Sequence, residues 1–489
     1  MGNKETDNES SSYILFPVKQ KDRQPIYYVS DYSEALADSV YKGYRCELRN
    51  NQTILTPSQV KKEEVHIDST KPVAIKFYEK GKHPSPYQFY DSEIAILNLA
   101  GQKVLIMDFI DGFHIHPDAK DNPQLRQLTF SQAVNIAWQL IIELNRRHYN
   151  NSNGPAVVHG DIKGTNLKIR MSPTGEKCKI DIFYLDGDYA KPITNRSQCA
   201  QGTLEHLAIE LLDGHYSESS DFFALSPILL SLFGARNPLQ EIIAFRNAHP
   251  DMDNAQLVKK YRDLGFCSEG LFEHFAKKPE PFICNLIKEF ILQMGAKYKE
   301  DRPAPAAILE FFTALRQLSL IDESAKDNEF YLLRLQVAVQ NENWLTEQKY
   351  INLFLRADLA LQERLMALMH RNQRLHLYTI VLDNPAASSL VNRLRKSIAS
   401  DLRELTDTFQ PPSLLSSLFS SPVTKKELEW LLNCYEQNNK EAFYSPTNEK
   451  MRLKLMSCKE KNTAPLILAV TAEFTHSAQL AHYKLKQIS

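Results

Sequence analysis

The stretch VVHGDIKGTNLKI, residues 157–169, sets His159, Asp161, Lys163 and Asn166 between two runs of β-branched apolar residues. A carboxylate, an ammonium and a carboxamide in one short loop can act as a base, a phosphate contact and a metal ligand. The same residues also make an ordinary surface turn, and the stretch alone fits either reading. Two further stretches carry isolated charges in apolar surroundings. PVAIKFY (72–78) holds Lys76 on a strand-like run, and FYLDGDYAKP (183–192) ends such a run at Asp186. A strand lysine is usually exposed and Asp-Gly is a common turn pair, so each is weak alone.

The elements that must position these groups fall into blocks. Residues 1–12 are polar and read as disordered. From there to about 110 the texture is strand-rich (YILFPV, PIYYV, SVYKGYRCEL, PVAIKFY, KVLIMDFI), interrupted by one helical stretch, YQFYDSEIAILNLA. To about 315 the pattern is helical, as in FSQAVNIAWQLIIELNRRH, with a strand pair, LKIRM and CKIDIFYL, around the Pro-Thr-Gly turn at 173–175. A β-rich lobe followed by a helical one predicts an α+β arrangement with a ligand cleft between the lobes. After the charged break DESAKDNE (322–329) only helical patterns follow, with PPSLLSSLFSSP (411–422) as a connector. Trp344, Trp430 and Phe419 could anchor an interface there, although aromatics at helical spacing more often form core.

The 489 residues suffice for two or three domains. Lys plus Arg (58) balance Asp plus Glu (59), so no global field argues for nucleic acid or an anionic membrane. Seven cysteines without CxxC spacing argue against structural zinc and a disulfide framework. The start lacks an apolar signal segment, which suits a cytosolic location, and the apolar run at 224–235 is too short to span a bilayer. Met1–Thr6 fits the MGxxx[ST] pattern, by chance or as a myristoylation site at Gly2 giving marginal membrane contact. The sequence gives no indication of a homodimer or of any other oligomeric state.

Taken with GTLEHLAIE (202–210), SSDFFALSPIL (219–229) and DRPAPAAILEFF (301–312), these stretches follow protein-kinase order. The chain resembles a eukaryotic-type Ser/Thr protein kinase over residues 13–315. The resemblance implies a bilobal fold, N-lobe 13–110 and C-lobe 111–315, followed by an all-helical extension over 316–489. It implies ATP and Mg²⁺ (or Mn²⁺) as cofactors and a protein hydroxyl as acceptor. Lys76 would contact the α- and β-phosphates, paired with Glu93 on a helix. Asp161 would be the base, Lys163 would reach the transferred phosphoryl group, and Asn166 and Asp186 would hold the metal. Val40, Ala74, the gatekeeper Met107, the backbones of Asp108 and Ile110, and Leu167 would line the nucleotide, with Ile169 beneath the adenine. Thr203 would bond Asp161 and Lys163, Glu210 would be a buried acid paired by Arg302, and Asp221 would tie the catalytic-loop backbone. The divergence and the helical extension resemble the effector kinases that intracellular bacteria secrete into host cells, which would place the chain in a host cytosol, acting on a host protein.

The sequence also departs from that family. Ser33, Ala35 and Asp38 fall where the phosphate loop carries glycines, which limits close backbone approach. Gly160 replaces the arginine that receives an activation-loop phosphate, so activity without phosphorylation of Thr194 or Ser197 is expected. Asp186-Gly187-Asp188 replaces Asp-Phe-Gly, and Asp188 is expected to face solvent rather than bind metal. Ile209 stands in place of a proline. HGD also resembles small-molecule phosphotransferases, but these lack the 202–210 segment and its arginine. A pseudokinase scaffold is the alternative of a different class, and a kinase fold turned to nucleotidyl transfer is a third.

Overall fold

The computed structural model describes residues 12–475 apart from 22, 31, 38, 51, 86–92, 118–121, 150–155, 175–176, 194–200, 321–327, 409–422 and 459–462. Asp38, Gly2, Thr194, Ser197, Phe419 and the 411–422 connector therefore lie outside the described residues. The chain divides into two compact units, Met1–Pro305 and Ala306–Ser489.

Alternation builds the start of the first unit. In β1 (Ser12–Gln20), Ile14, Phe16 and Val18 face one apolar cluster while Tyr13 and Leu15 face another. In β2 (Arg23–Ser30), Ile26 and Tyr28 alternate with Tyr27 and Val29 in the same way. A period of two with both faces covered is what a strand between two cores requires. The strands β3 (Ala35–Ala37), β4 (Val40–Leu48), β5 (Ser58–Lys61), β6 (Val65–Phe77), β7 (Glu93–Leu99) and β8 (Gln102–Asp108) complete the sheet. Its order is β5–β1–β2–β4–β6–β8–β7, with β3 added on β4 and antiparallel pairing throughout.

One expectation fails here. The helix read over YQFYDSEIAILNLA is a strand from Glu93 to Leu99, paired with β8. Ala100 and Gly101 form a two-residue turn with φ of 50° and 87°, the backbone of a type I′ hairpin. That turn folds Ile94, Leu97 and Leu99 onto the same cluster as Val104 and Ile106. Glu93 thus sits across from Met107 at a sheet edge rather than on a helix.

The helical lobe hangs on two buried helices. α1 (Phe130–Tyr149) buries Val134, Ile141 and Leu144. α2 (Glu218–Leu232) is apolar all round and buried from Ser219 to Leu232, the pattern of a central helix. Around them lie α3 (Gln240–Ala248), α4 (Asn254–Leu264) and α5 (Pro281–Met294). Two short pairings frame the site: β9 (Val157–Val158) with β12 (Lys191–Pro192), and β10 (Leu167–Thr174) with β11 (Lys177–Tyr184). The two-lobed α+β architecture follows directly from this order.

In the second unit the regular structure of the described residues is helical: α6 (Pro305–Leu320), α7 (Asn328–Ala338), α8 (Gln348–Arg356), α9 (Leu359–Leu368), α10 (Arg371–Val381), α11 (Ser388–Asp407), α12 (Lys425–Glu436), α13 (Lys440–Tyr444), α14 (Glu449–Met456) and α15 (Ala464–Thr475). The division falls at 305/306, whereas the sequence reading placed it at 315/316. Ala307 belongs to the core of the second unit, and Glu310 on α6 pairs there with Arg334 and Arg364. Trp344 is fully buried and stacks on Phe354 at 5.8 Å, so it is core. Trp430 stacks on Phe443. Among the described residues no helix is long and apolar enough to cross a membrane.

Candidate active site

The cleft face of the sheet follows from register. Directly opposed residues of neighbouring strands project to the same side. Val40 opposes Lys76, Ala74 opposes Met107, and Lys76 opposes Leu105, so these residues share one face. Ile75 and Phe77 point the other way, into the core. Glu34 and Ser39, in the segment where the resemblance places a phosphate loop, are hydrogen-bonded to the sheet. The Lys42 amide donates to the Glu34 carbonyl, and the Phe77 amide donates to Ser39. Ser33 and Ala35 are exposed there, and the Tyr32 ring packs on Tyr41 and Phe77.

The loop after β9 brings the chemical groups together. Asp161 is 5% exposed. One of its carboxylate oxygens accepts from the Thr203 amide (2.7 Å) and hydroxyl (2.8 Å). The other accepts from Asn166 Nδ2 (3.0 Å) and lies 3.2 Å from Lys163 Nζ. Lys163 also donates to the Thr203 hydroxyl at 3.1 Å. Burial pushes the Asp161 pKa up, but the Lys163 charge and the Thr203 hydrogen bonds outweigh it and hold the carboxyl below its ordinary value.

The backbone of this loop is held by Asp221 on α2, which accepts from the amides of His159 (2.7 Å) and Gly160 (3.0 Å) and lies 2.9 Å from His148 Nε2. His159 spans the loop. Its Nδ1 accepts from the Asp161 amide, so Nε2 carries the proton and donates to the Leu185 carbonyl at 2.9 Å. Gly160 has a φ of +78°, and a Cβ there would come within 2.8 Å of the Tyr189 carbonyl oxygen. This backbone leaves no room for a side chain at position 160, such as the arginine that the resemblance would place there.

Lys76 is held by two acids of the DGD turn. Its Nζ lies 2.6 Å from Asp186 Oδ1 and 2.6 Å from Asp188 Oδ2, and the Tyr78 hydroxyl donates to Asp188 Oδ1 at 2.7 Å. Burial works to lower the Lys76 pKa, and the charges of Asp186 and Asp188 override it and raise it. Asp188 thus faces the cleft, which corrects the solvent-facing expectation. Asp186 adopts the left-handed region (φ 58°, ψ 60°), an uncommon conformation for a side chain other than glycine. The side chain of Glu93 lies outside the described residues.

The segment after β8 is met by a residue of β10 that sequence reasoning missed. Lys168 donates to the Ile110 carbonyl at 2.8 Å, and its ammonium lies over the Phe109 ring. That carbonyl, assigned to the adenine edge, is therefore engaged within the protein. Leu167 and Ile169 are buried on β10, and Phe113 bonds Ile169 through both backbone groups. A recess of about 980 Å³ is lined by Asp108, Phe109, Ile110, Trp138, Arg170 and Phe183 among others. It contains neither Lys76 nor Asp161.

The 202–210 segment is clamped from below. Arg302 makes a bidentate pair with Glu210 (2.7 and 3.0 Å) and lies 4.5 Å from the Phe223 ring centre. Arg262 donates to the Glu205 carbonyl at 2.8 Å, and Arg246 pairs with the Glu205 carboxylate. Burial pushes the Arg262 pKa down to about 9. Neither Arg246 nor Arg262 has a motif that announces it.

The donor set suits a hard divalent cation. Asn166 directs Nδ2 to Asp161, which leaves its amide oxygen as an acceptor, and Asp186 supplies a carboxylate two residues after the β11 strand that pairs with β10. Mg²⁺ binds through one or two such oxygens and completes its shell with water and phosphate. Among the described residues no group of three His, Cys, Asp or Glu forms a metal cage.

No family model matches the chain. A probable serine/threonine-protein kinase WNK9 of Oryza sativa subsp. japonica is 32% identical over 106 residues, which span 21% of this chain and 23% of that protein. The kinase PK-1 of Cydia pomonella granulovirus aligns over 61% of this chain and 93% of its own length, at 16% identity and a TM-score of 0.37. The match to the rice protein supports a protein kinase or pseudokinase in general terms.

Proposed function

We propose that the first unit is a Ser/Thr protein kinase that transfers the γ-phosphoryl group of Mg-ATP to a protein hydroxyl. One observation carries the reading: a buried, ionised Asp161 whose oxygens are aimed by Thr203, Lys163 and Asn166. Phosphoryl transfer asks the protein for positioning and charge neutralisation rather than covalent chemistry. Asp161 accepts the substrate hydroxyl proton, Lys163 neutralises the transferred group, and Lys76 holds the non-transferred phosphates. Asn166 and Asp186 would hold Mg²⁺, which would supply charge neutralisation on the phosphates. Activity without activation-loop phosphorylation is supported by Gly160 and by the Arg246–Glu205 pair, which fixes the docking segment.

The test is transfer from labelled Mg-ATP to a generic protein and to the chain itself. Wild-type transfer that both Asp161→Asn and Lys76→Met abolish supports the reading. A pseudokinase scaffold is the second reading, favoured by the Lys168 bond to the Ile110 carbonyl. Nucleotide binding by thermal shift without transfer by any variant would establish it.

A further inference from the structure

The geometry points to Asp188, braced by Tyr78, as the positioning residue for Lys76, in the role that a helix-borne glutamate fills in the family the chain resembles. This inference rests on the kinase reading. A phosphate-contacting lysine needs an acidic partner that stays with it when the metal-binding aspartate is engaged elsewhere. Asp186 cannot serve as both. Asp188 lies at the same 2.6 Å from Nζ, and its second oxygen is oriented by the Tyr78 hydroxyl at 2.7 Å.

The support for Asp188 is built from both lobes. Tyr78 directly follows β6, the strand of Lys76, is 5% exposed, and donates its amide to the Lys103 carbonyl. Its ring centre lies 5.3 Å from Lys76 Nζ, which shields the ammonium from water on that side. Asp188 sits in the tight turn Gly187–Tyr189, closed by the Ala190 amide on the Gly187 carbonyl. The Ser85 hydroxyl donates to the Ala190 carbonyl at 3.0 Å and fastens the turn to the sheet lobe. Glu93 opens β7, which the whole width of β8 separates from β6. The carboxylate at 188 thus accounts for two departures together: no helix over 93–99, and an acid where the turn ordinarily ends in glycine.

The test uses the full chain and two readouts. The first is the rate at which an amine-selective acylating reagent modifies Lys76, followed by mass spectrometry against exposed Lys19. Asp188 and the Tyr78 ring cover the Lys76 ammonium on one side, so loss of the acidic partner opens that side to the reagent and speeds labelling. Asp188→Asn and Tyr78→Phe are expected to accelerate labelling several-fold, and Asp188→Glu to return it toward wild type. The second readout is turnover, with kcat/KM for ATP expected to fall about 10- to 100-fold in Asp188→Asn. Unchanged labelling in Asp188→Asn, or a larger acceleration by Glu93→Gln, overturns the assignment. If Asp188→Asn fails to fold, Tyr78→Phe decides it: unchanged labelling overturns it and acceleration supports it. A wild type that transfers no phosphate sinks the kinase reading, while labelling still decides which acid holds Lys76.

Discussion

Thr203 donates twice to a single oxygen of Asp161, from its amide at 2.7 Å and its hydroxyl at 2.8 Å. The 202–210 segment and the loop that carries Asp161 are therefore one hydrogen-bonded unit. Thr203→Val removes the hydroxyl and keeps the shape. A hydrogen bond to a charged group contributes roughly 1.5–3 kcal/mol, so kcat/KM is expected to fall about 10- to 100-fold. The pH profile should move as well. Burial raises the Asp161 pKa, and Lys163 with Thr203 brings it below the ordinary value. A base works ionised, so activity is present above that pKa and lost as pH falls through it. Removing the hydroxyl shifts the acid limb to higher pH. An acid limb that stays in place would remove Asp161 from the role of base.

The Glu210–Arg302 pair is a stability element. The Arg302 side chain is 2% exposed, and Ser220 shares the Glu210 carboxylate. Removing one partner of a buried pair strands the other charge, at about 3–5 kcal/mol. Arg302→Met should lower unfolding free energy by that amount in urea titration. Arg302→Met combined with Glu210→Met should recover part of the loss, since no charge is then left buried.

What the sequence made legible followed from covalent proximity and motif order. Asp161, Lys163 and Asn166 lie within six residues, and the apolar runs around them mark the loop's ends. Asp188, Lys168, Arg246 and Arg262 were not legible, because their partners come from remote segments. Two of those partners, the carbonyls of Ile110 and Glu205, carry no side-chain signature at all. The strand at 93–99 was misread because Ile94 and Leu97 fit a helical spacing while Leu97 and Leu99 fit a strand. Seven residues cannot separate the two periods. The deciding element was the turn, and Ala100 gives no sign of its positive φ.

Arg262 and Arg246 hold the 202–210 segment through the carbonyls of Leu204 and Glu205 and the Glu205 carboxylate. Thr194→Ala combined with Ser197→Ala should therefore leave wild-type turnover essentially unchanged. Arg262→Met should instead lower turnover and expose residues 201–213 to limited proteolysis, because the carbonyls of Leu204 and Glu205 lose their donor. Turnover that depends on the two hydroxyls would show that phosphorylation orders the segment.

His206 gives the domain an acid-sensitive point. Burial among α2 and the docking segment pushes its pKa down to about 4, with Nδ1 3.2 Å from the Ala224 carbonyl. In the unfolded chain a histidine titrates near about 6.5. The folded pKa is the lower one, so the unfolded state binds the proton first. Stability is complete above about 6.5 and declines as pH falls toward 4, by up to about 3 kcal/mol for this one group. His206→Gln removes the titration and keeps a polar side chain, so its unfolding free energy should vary less over that window. Chemical denaturation of both proteins at several pH values between 7 and 4 measures the difference (a range set by the two pKa values). Parallel curves would show that His206 is not the group that takes up the proton.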